Sequence, residues 1–115
     1  MRDNQLMTYE ISSMLLFPDN NVLDALKVID KAALRIALVV DDNLHLLGVI
    51  TDGDIRRHLI RGASLSAPVK SVMNSSPVTA SCHITRKEAV KLMTSKGLLA
   101  LPLLKNRKVV GLETL

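Results

Sequence analysis

Hydrophobic positions along the chain change period several times, and the changes mark elements. Val22, Leu23, Leu26, Val28 and Ile29 approximate a helical stripe, and Asp19, Asn20 and Asn21 stand before it as possible caps. Residues 35–40 form a short apolar, β-branched run that predicts a buried strand; Asp41, Asp42 and Asn43 are turn residues, and residues 46–50 predict a second strand with Gly48 inside it. Residues 51–60 read as a helix stopped by Gly62, with Ile55, Leu59 and Ile60 turned inward. After Ser66, residues 67–73 predict a short helix, and residues 74–77 break the chain. The remainder predicts a strand over 78–80, a helix over 86–95, a strand over 98–103, a turn at Lys105 and Asn106, and a strand over 108–112.

These elements recur. Residues 37–51 align without a gap on residues 100–114 at a constant offset of 63, with Ala37/Ala100, Leu38/Leu101, Asn43/Asn106, Gly48/Gly111 and Thr51/Thr114 identical. The chain therefore reads as a duplicated α+β unit, each copy a small sheet flanked by helices. An N-terminal segment (1–13) precedes a first copy (14–73) and a second (74–115). The second copy stops one residue after Thr114, so it is expected to lack its closing helix and to belong to a longer protein.

Composition narrows the class. With 115 residues, 48% of them hydrophobic, the chain can bury roughly two-thirds of its unfolded surface as one compact domain, which excludes disorder. No apolar run reaches the roughly 18 residues that would span a bilayer, and the N-terminus lacks the signature of a secretory signal. The single cysteine, Cys82, forms no internal disulfide, so a cytoplasmic location is expected. One Phe, one Tyr and no Trp leave an aliphatic core and few stacking platforms for nucleic acid. A net charge of +4 permits an anionic partner without specifying it.

Candidate chemistry concentrates at Gly48-Val-Ile-Thr51-Asp-Gly-Asp54-Ile-Arg-Arg57. A helix that starts at Thr51 presents free N–H groups to an anion such as a phosphate, and the Thr51 hydroxyl could join them. Asp54 could accept hydrogen bonds from vicinal ribose hydroxyls, Gly53 could admit a ligand close to the backbone, and Arg57 is the most plausible basic contact. Thr51-x-x-Asp54 is equally a helix capping box, and spacing alone does not separate the two readings. Arg56, Arg57, His58 and Arg61 could bind nucleic acid or form a solvated helix face. His45, His58 and His83 have no metal-ligand spacing, and Cys82 beside His83 lacks an orienting third group, so neither a metal site nor a catalytic site is expected. Cys82 and the methionines, Met73 and Met93 among them, read as packing residues.

The Gly-hydrophobic-x-Thr-x-x-Asp pattern at residues 48–54 sits inside a duplicated unit. With Lys70-Ser-Val-Met73, Ser76-Pro-Val-Thr79 and Leu101-Pro102-Leu103, it resembles the tandem cystathionine-β-synthase (CBS) domain pair, or Bateman module, over about residues 14–115. The resemblance implies a non-enzymatic regulatory module that binds an adenine nucleotide (AMP, ADP, ATP or S-adenosylmethionine) in the cleft between repeats and needs no other cofactor. It assigns phosphate and ribose contacts to Thr51 and Asp54, adds Val78 and Thr79, and makes Thr114 the second site's hydroxyl, although no acidic residue follows Thr114 as Asp54 follows Thr51. It also implies a homodimer and a covalently attached C-terminal enzyme. The chain's ending and the wording of the first copy resemble modules that precede sugar-phosphate nucleotidyltransferases. A ligand-free dimerisation scaffold and a nucleic-acid binder acting through the basic helix are the rival readings.

Overall fold

In the computed structural model, which describes residues 11–32 and 35–115, the chain builds the same three-stranded arrangement twice. Residues 12–77 make up one unit, and residues 78–115 belong to a second. The first runs from a 3-10 turn (Ile11–Met14) through β1 (Leu15–Leu16), α1 (Val22–Lys31), β2 (Ile36–Val40), β3 (Leu46–Thr51) and α2 (Asp52–Ile60). Its strands lie in the order β1-β2-β3, with β1 parallel and β3 antiparallel to β2. The second unit contains β4 (Ala80–Ser81), α3 (Arg86–Lys96), β5 (Ala100–Lys105) and β6 (Lys108–Thr114), and repeats the order β4-β5-β6 with the same directions. This is the expected α+β class.

Each helix begins for a local reason. Asn21 Oδ1 accepts the Asp24 N–H at 2.8 Å while Asp24 returns a bond to the Asn21 N–H at 3.0 Å, closing a capping box on α1. Thr85 and Glu88 do the same for α3, which Gly97 ends in the left-handed conformation. The expected α1 stripe is narrower than its hydrophobic residues suggest: Val22, Ala25 and Ile29 are buried, Leu26 and Val28 pack at the margin, and Leu23 is exposed. In α2 only Ile55 is buried; Leu59 and Ile60, expected inward, are exposed.

Other expected bounds shift too, β3 and β6 running on to Thr51 and Thr114. Residues 67–73 form no full helix, only a 3-10 turn over Val69–Ser71, because Pro68 precedes it and Ser71 returns its hydroxyl to the Pro68 carbonyl. The strand expected over 78–80 is Ala80–Ser81. The strand expected over 98–103 runs from Ala100 to Lys105, and the 35–40 strand starts at Ile36 because Arg35 has a positive φ of 55°. β1 had no sequence signal, since two leucines carry no period.

The repeat is also not gapless. Gly48 and Gly111 are matched in the pairing, but they face Val39 and Leu103, one residue beyond the sequence offset. The β2–β3 connection spans residues 41–45, whereas β5 and β6 are joined across Asn106 and Arg107 alone. Both of those have positive φ (54° and 71°), the conformation of a tight two-residue hairpin turn. In the longer connection the Asp41 carboxylate receives the N–H groups of Asn43 and His45 and the His45 ring. Partial burial pushes its carboxyl upward, but these donors outweigh that and hold it below the ordinary value.

The first unit's apolar core gathers Val22, Ala25 and Ile29 of α1, Ala37 and Val39 of β2, and Ile50 and Ile55. The second is built on Ala89, Met93, Leu101 and Leu103, with Cys82 packed at its edge. One contact sets the first unit apart. Asn74 exchanges backbone hydrogen bonds with Val49 (3.0 and 2.8 Å), laying the chain beyond the 3-10 turn along the free edge of β3. A Cβ on Gly48 would stand 2.7 Å from both the Asn74 carbonyl and Met73 Sδ. A Cβ on Gly111 meets nothing closer than 3.7 Å. Gly48→Ala is therefore expected to cost about 1–3 kcal/mol in denaturant unfolding, and Gly111→Ala to fall within about 0.5 kcal/mol of the parent chain.

Candidate functional site

β3 ends and α2 begins at Thr51, which adopts extended φ and ψ (−116°, 168°) as the helix N-cap. Its hydroxyl donates to Asp54 Oδ2 at 3.0 Å and accepts the Asp54 N–H at 3.3 Å. The Thr51 N–H reaches the same Oδ2 at 2.9 Å. Asp54 Oδ1 is held at 2.8 Å by Arg57, whose guanidinium lies over Gly53, so that a Cβ there would meet Nη1 at 3.3 Å. The four expected residues of the first unit are thus brought together at one helix start. The capping box is fully formed, and the space Gly53 was expected to leave for a ligand is covered by Arg57.

This cluster is adjustable. The Arg57 side chain is 62% exposed against 18% for Asp54, so releasing the ion pair costs little in solvent. An arriving phosphate could take the guanidinium and leave Oδ1 free to accept from a hydroxyl, while Thr51 and the first N–H groups of α2 supply donors. Of the neighbouring basic residues, Arg56 is likewise held in an exposed pair, with Asp52 at 2.6 Å, and His58 faces the Ser64 carbonyl at 3.2 Å.

The other expected residues lie in the second unit. Thr114 pairs with Ala100, where β6 finishes and β5 starts. β4 runs parallel to β5, so Val78 and Thr79, which lead into it, lie toward that same end of the sheet, with β5 between them and β6. The duplication shows what sequence reasoning missed. In pairing register, Met14 and Leu15 stand in the first unit where Val78 and Thr79 stand in the second, and the nearly featureless β1 gave no way to find them. The second miss is an ion pair. Arg86 Nη1 lies 2.8 Å from Oε2 of Glu113, a fully buried carboxylate, and also donates to the Thr114 carbonyl. Among the described residues no cluster of His, Cys, Asp and Glu could hold a metal, and no helix is long and apolar enough to cross a membrane.

Comparison with known proteins adds three findings. The profile of the CBS domain family matches residues 5–61 and 69–112. The arabinose 5-phosphate isomerase GutQ of Salmonella typhimurium is 30% identical over 92 residues, which is 79% of this chain and 29% of that protein. The chain spans about 30% of the length of the curated relatives it matches. Among solved structures, AcuB of Vibrio cholerae superposes with a TM-score of 0.88 at 21% identity, covering 99% of this chain and 84% of that one. CBSX2, solved in complex with AMP, superposes with a TM-score of 0.78 at 25% identity, covering 94% and 85%.

The cap geometry makes stability depend on pH. Backbone and hydroxyl donors of Thr85 hold the Glu88 carboxyl below its ordinary value of 4.5. A depressed carboxyl contributes stability that is complete above its unfolded value and is lost as pH falls through the folded one. Glu88→Gln should therefore flatten the fall in melting temperature between about pH 5 and pH 3, measured by circular dichroism.

Proposed function

Because this chain belongs to the CBS domain family, we propose that it is a regulatory module, without catalytic activity of its own, that senses an adenine nucleotide. The observation that carries this reading is the strand-to-helix junction at Thr51, where a hydroxyl, a carboxylate and an arginine meet the free N–H groups of α2. The likeness to CBSX2, solved with AMP, supports the adenine class. In the first unit, Thr51 and the start of α2 take the phosphate, Arg57 swings from Asp54 to it, and Asp54 receives the ribose hydroxyls. Gly53 keeps the path to the backbone open once Arg57 has moved. The second unit has its own candidate residues, in which Val78 and Thr79 would supply backbone and shape and Thr114 the second site's hydroxyl.

Regulation follows if the nucleotide binds two arrangements of the module unequally, because a ligand shifts an equilibrium only by its difference in affinity. We place the module, as a cytoplasmic homodimer, in a longer protein whose enzyme domain acts on a sugar phosphate. The relative supporting that setting is an isomerase, and it lends no support to the nucleotidyltransferase expected from the sequence. Adenine nucleotide is the regulatory ligand, and no further cofactor is required.

Titration with AMP, ADP, ATP, S-adenosylmethionine, GTP and CMP tests the reading by thermal shift. A ligand at 100 times its Kd adds about 2.7 kcal/mol, a rise of several degrees in a domain of this size. Adenine compounds alone should raise the melting temperature. Asp54→Ala should abolish the rise while costing the free protein only about 1 kcal/mol of capping. No rise with any nucleotide at millimolar concentration would favour a ligand-free scaffold.

A further inference from the structure

At one pair of matched positions the second unit abandons the apolar pattern of the first. Val22 and Arg86 each open their helix directly after its cap, Asn21 or Thr85. Ile50 and Glu113 each precede the strand-end threonine, Thr51 or Thr114. Val22 and Ile50 are fully buried and share one core. Glu113 is just as buried, yet it carries a carboxylate, and Arg86 reaches across to it from α3. The first unit shows that an apolar pair fills this place, and a buried ion pair is on balance no more stabilising than a well-packed apolar one. What the ion pair adds is direction, since a planar guanidinium grips its acceptors in a fixed geometry.

The direction falls on Thr114. The Nη1 that meets Glu113 also donates to the Thr114 carbonyl, so one side chain ties together the last two paired residues of β6. In the first unit the corresponding hold on Thr51 is local, through Asp54 three residues on. We infer that Arg86 and Glu113 are positioning residues that orient Thr114 for its contact with the nucleotide. The inference rests on the nucleotide reading above, and it makes nucleotide contact by the second unit depend on a long-range ion pair.

The test replaces the pair with the first unit's own residues, in the double variant Arg86→Val/Glu113→Ile of the full chain. Two measurements are made: amide hydrogen exchange by NMR without ligand, and AMP titration by calorimetry. The expected result is a folded protein in which protection of the Thr114 amide drops by about tenfold while Leu101 and Leu112 keep theirs. AMP affinity should fall by about tenfold, matching the loss caused by Thr114→Ala, with no additional loss when the two changes are combined. Glu113→Gln, which keeps the shape and a neutral acceptor for Arg86, should shift both readouts in the same direction by less, and it serves if the double variant does not fold. Unchanged Thr114 protection overturns the positioning role. Lost protection with unchanged AMP affinity overturns its link to the ligand. A parent chain that binds no AMP overturns the nucleotide reading and that link together, and the exchange measurement alone then decides whether the pair orients Thr114.

Discussion

Each sheet depends on a central strand that is buried on both faces. All five residues of β2 are buried, and Leu101, Pro102 and Leu103 are buried in β5. A strand in that position cannot alternate polar and apolar residues, and its register is fixed by neighbours on both edges. The edge strands are therefore anchored along their length, and polar chemistry is confined to where they end. Thr51 and Thr114 stand at those ends, each the last residue of a strand paired to the buried centre. An element this firmly held is a suitable base for a site, because the groups at its rim inherit its position.

Much of this was legible in the residues. Continuous apolar runs gave the central strands, the period of Val22 to Ile29 gave α1, and Thr51-x-x-Asp54 gave the cap that the structure forms atom for atom. The duplication was legible too, although the gapless alignment hid a hairpin one residue shorter in the second copy, so Ala37/Ala100 and Leu38/Leu101 are identities out of structural register. Leu59 and Ile60 were misplaced because a nine-residue helix makes only about two and a half turns, too few for its period to fix the buried face. The crowding at Gly48 could not be read at all, since it depends on Asn74 returning to the edge of β3. The Arg86–Glu113 pair left a visible trace: Glu113 aligns with Ile50, an acid at a core position of the repeat, and such a mismatch calls for a buried partner.

The candidate site is one set of atoms on which capping and the proposed binding both draw. Thr51, Asp54 and Arg57 satisfy one another and the start of α2, which accounts for their presence without any ligand. The same arrangement stores a carboxylate, a hydroxyl and a guanidinium at an electropositive helix start, with the weakest bond of the set at its solvent-facing side. Binding would require Arg57 to leave Asp54 and the Thr51 hydroxyl to turn its proton from Asp54 to the anion.

The unequal hairpins have a consequence for folding. Neighbouring repeats in one chain are prone to misassembly, because a strand of one copy can enter the sheet of the other while the chain is still collapsing. Here such an exchange is penalised twice. β6 comes with a turn one residue shorter than the connection that leads into β3, and it would bury Glu113 against Val22. The divergence of the copies therefore proofreads the duplication: only the strand that grew up with each helix completes its core.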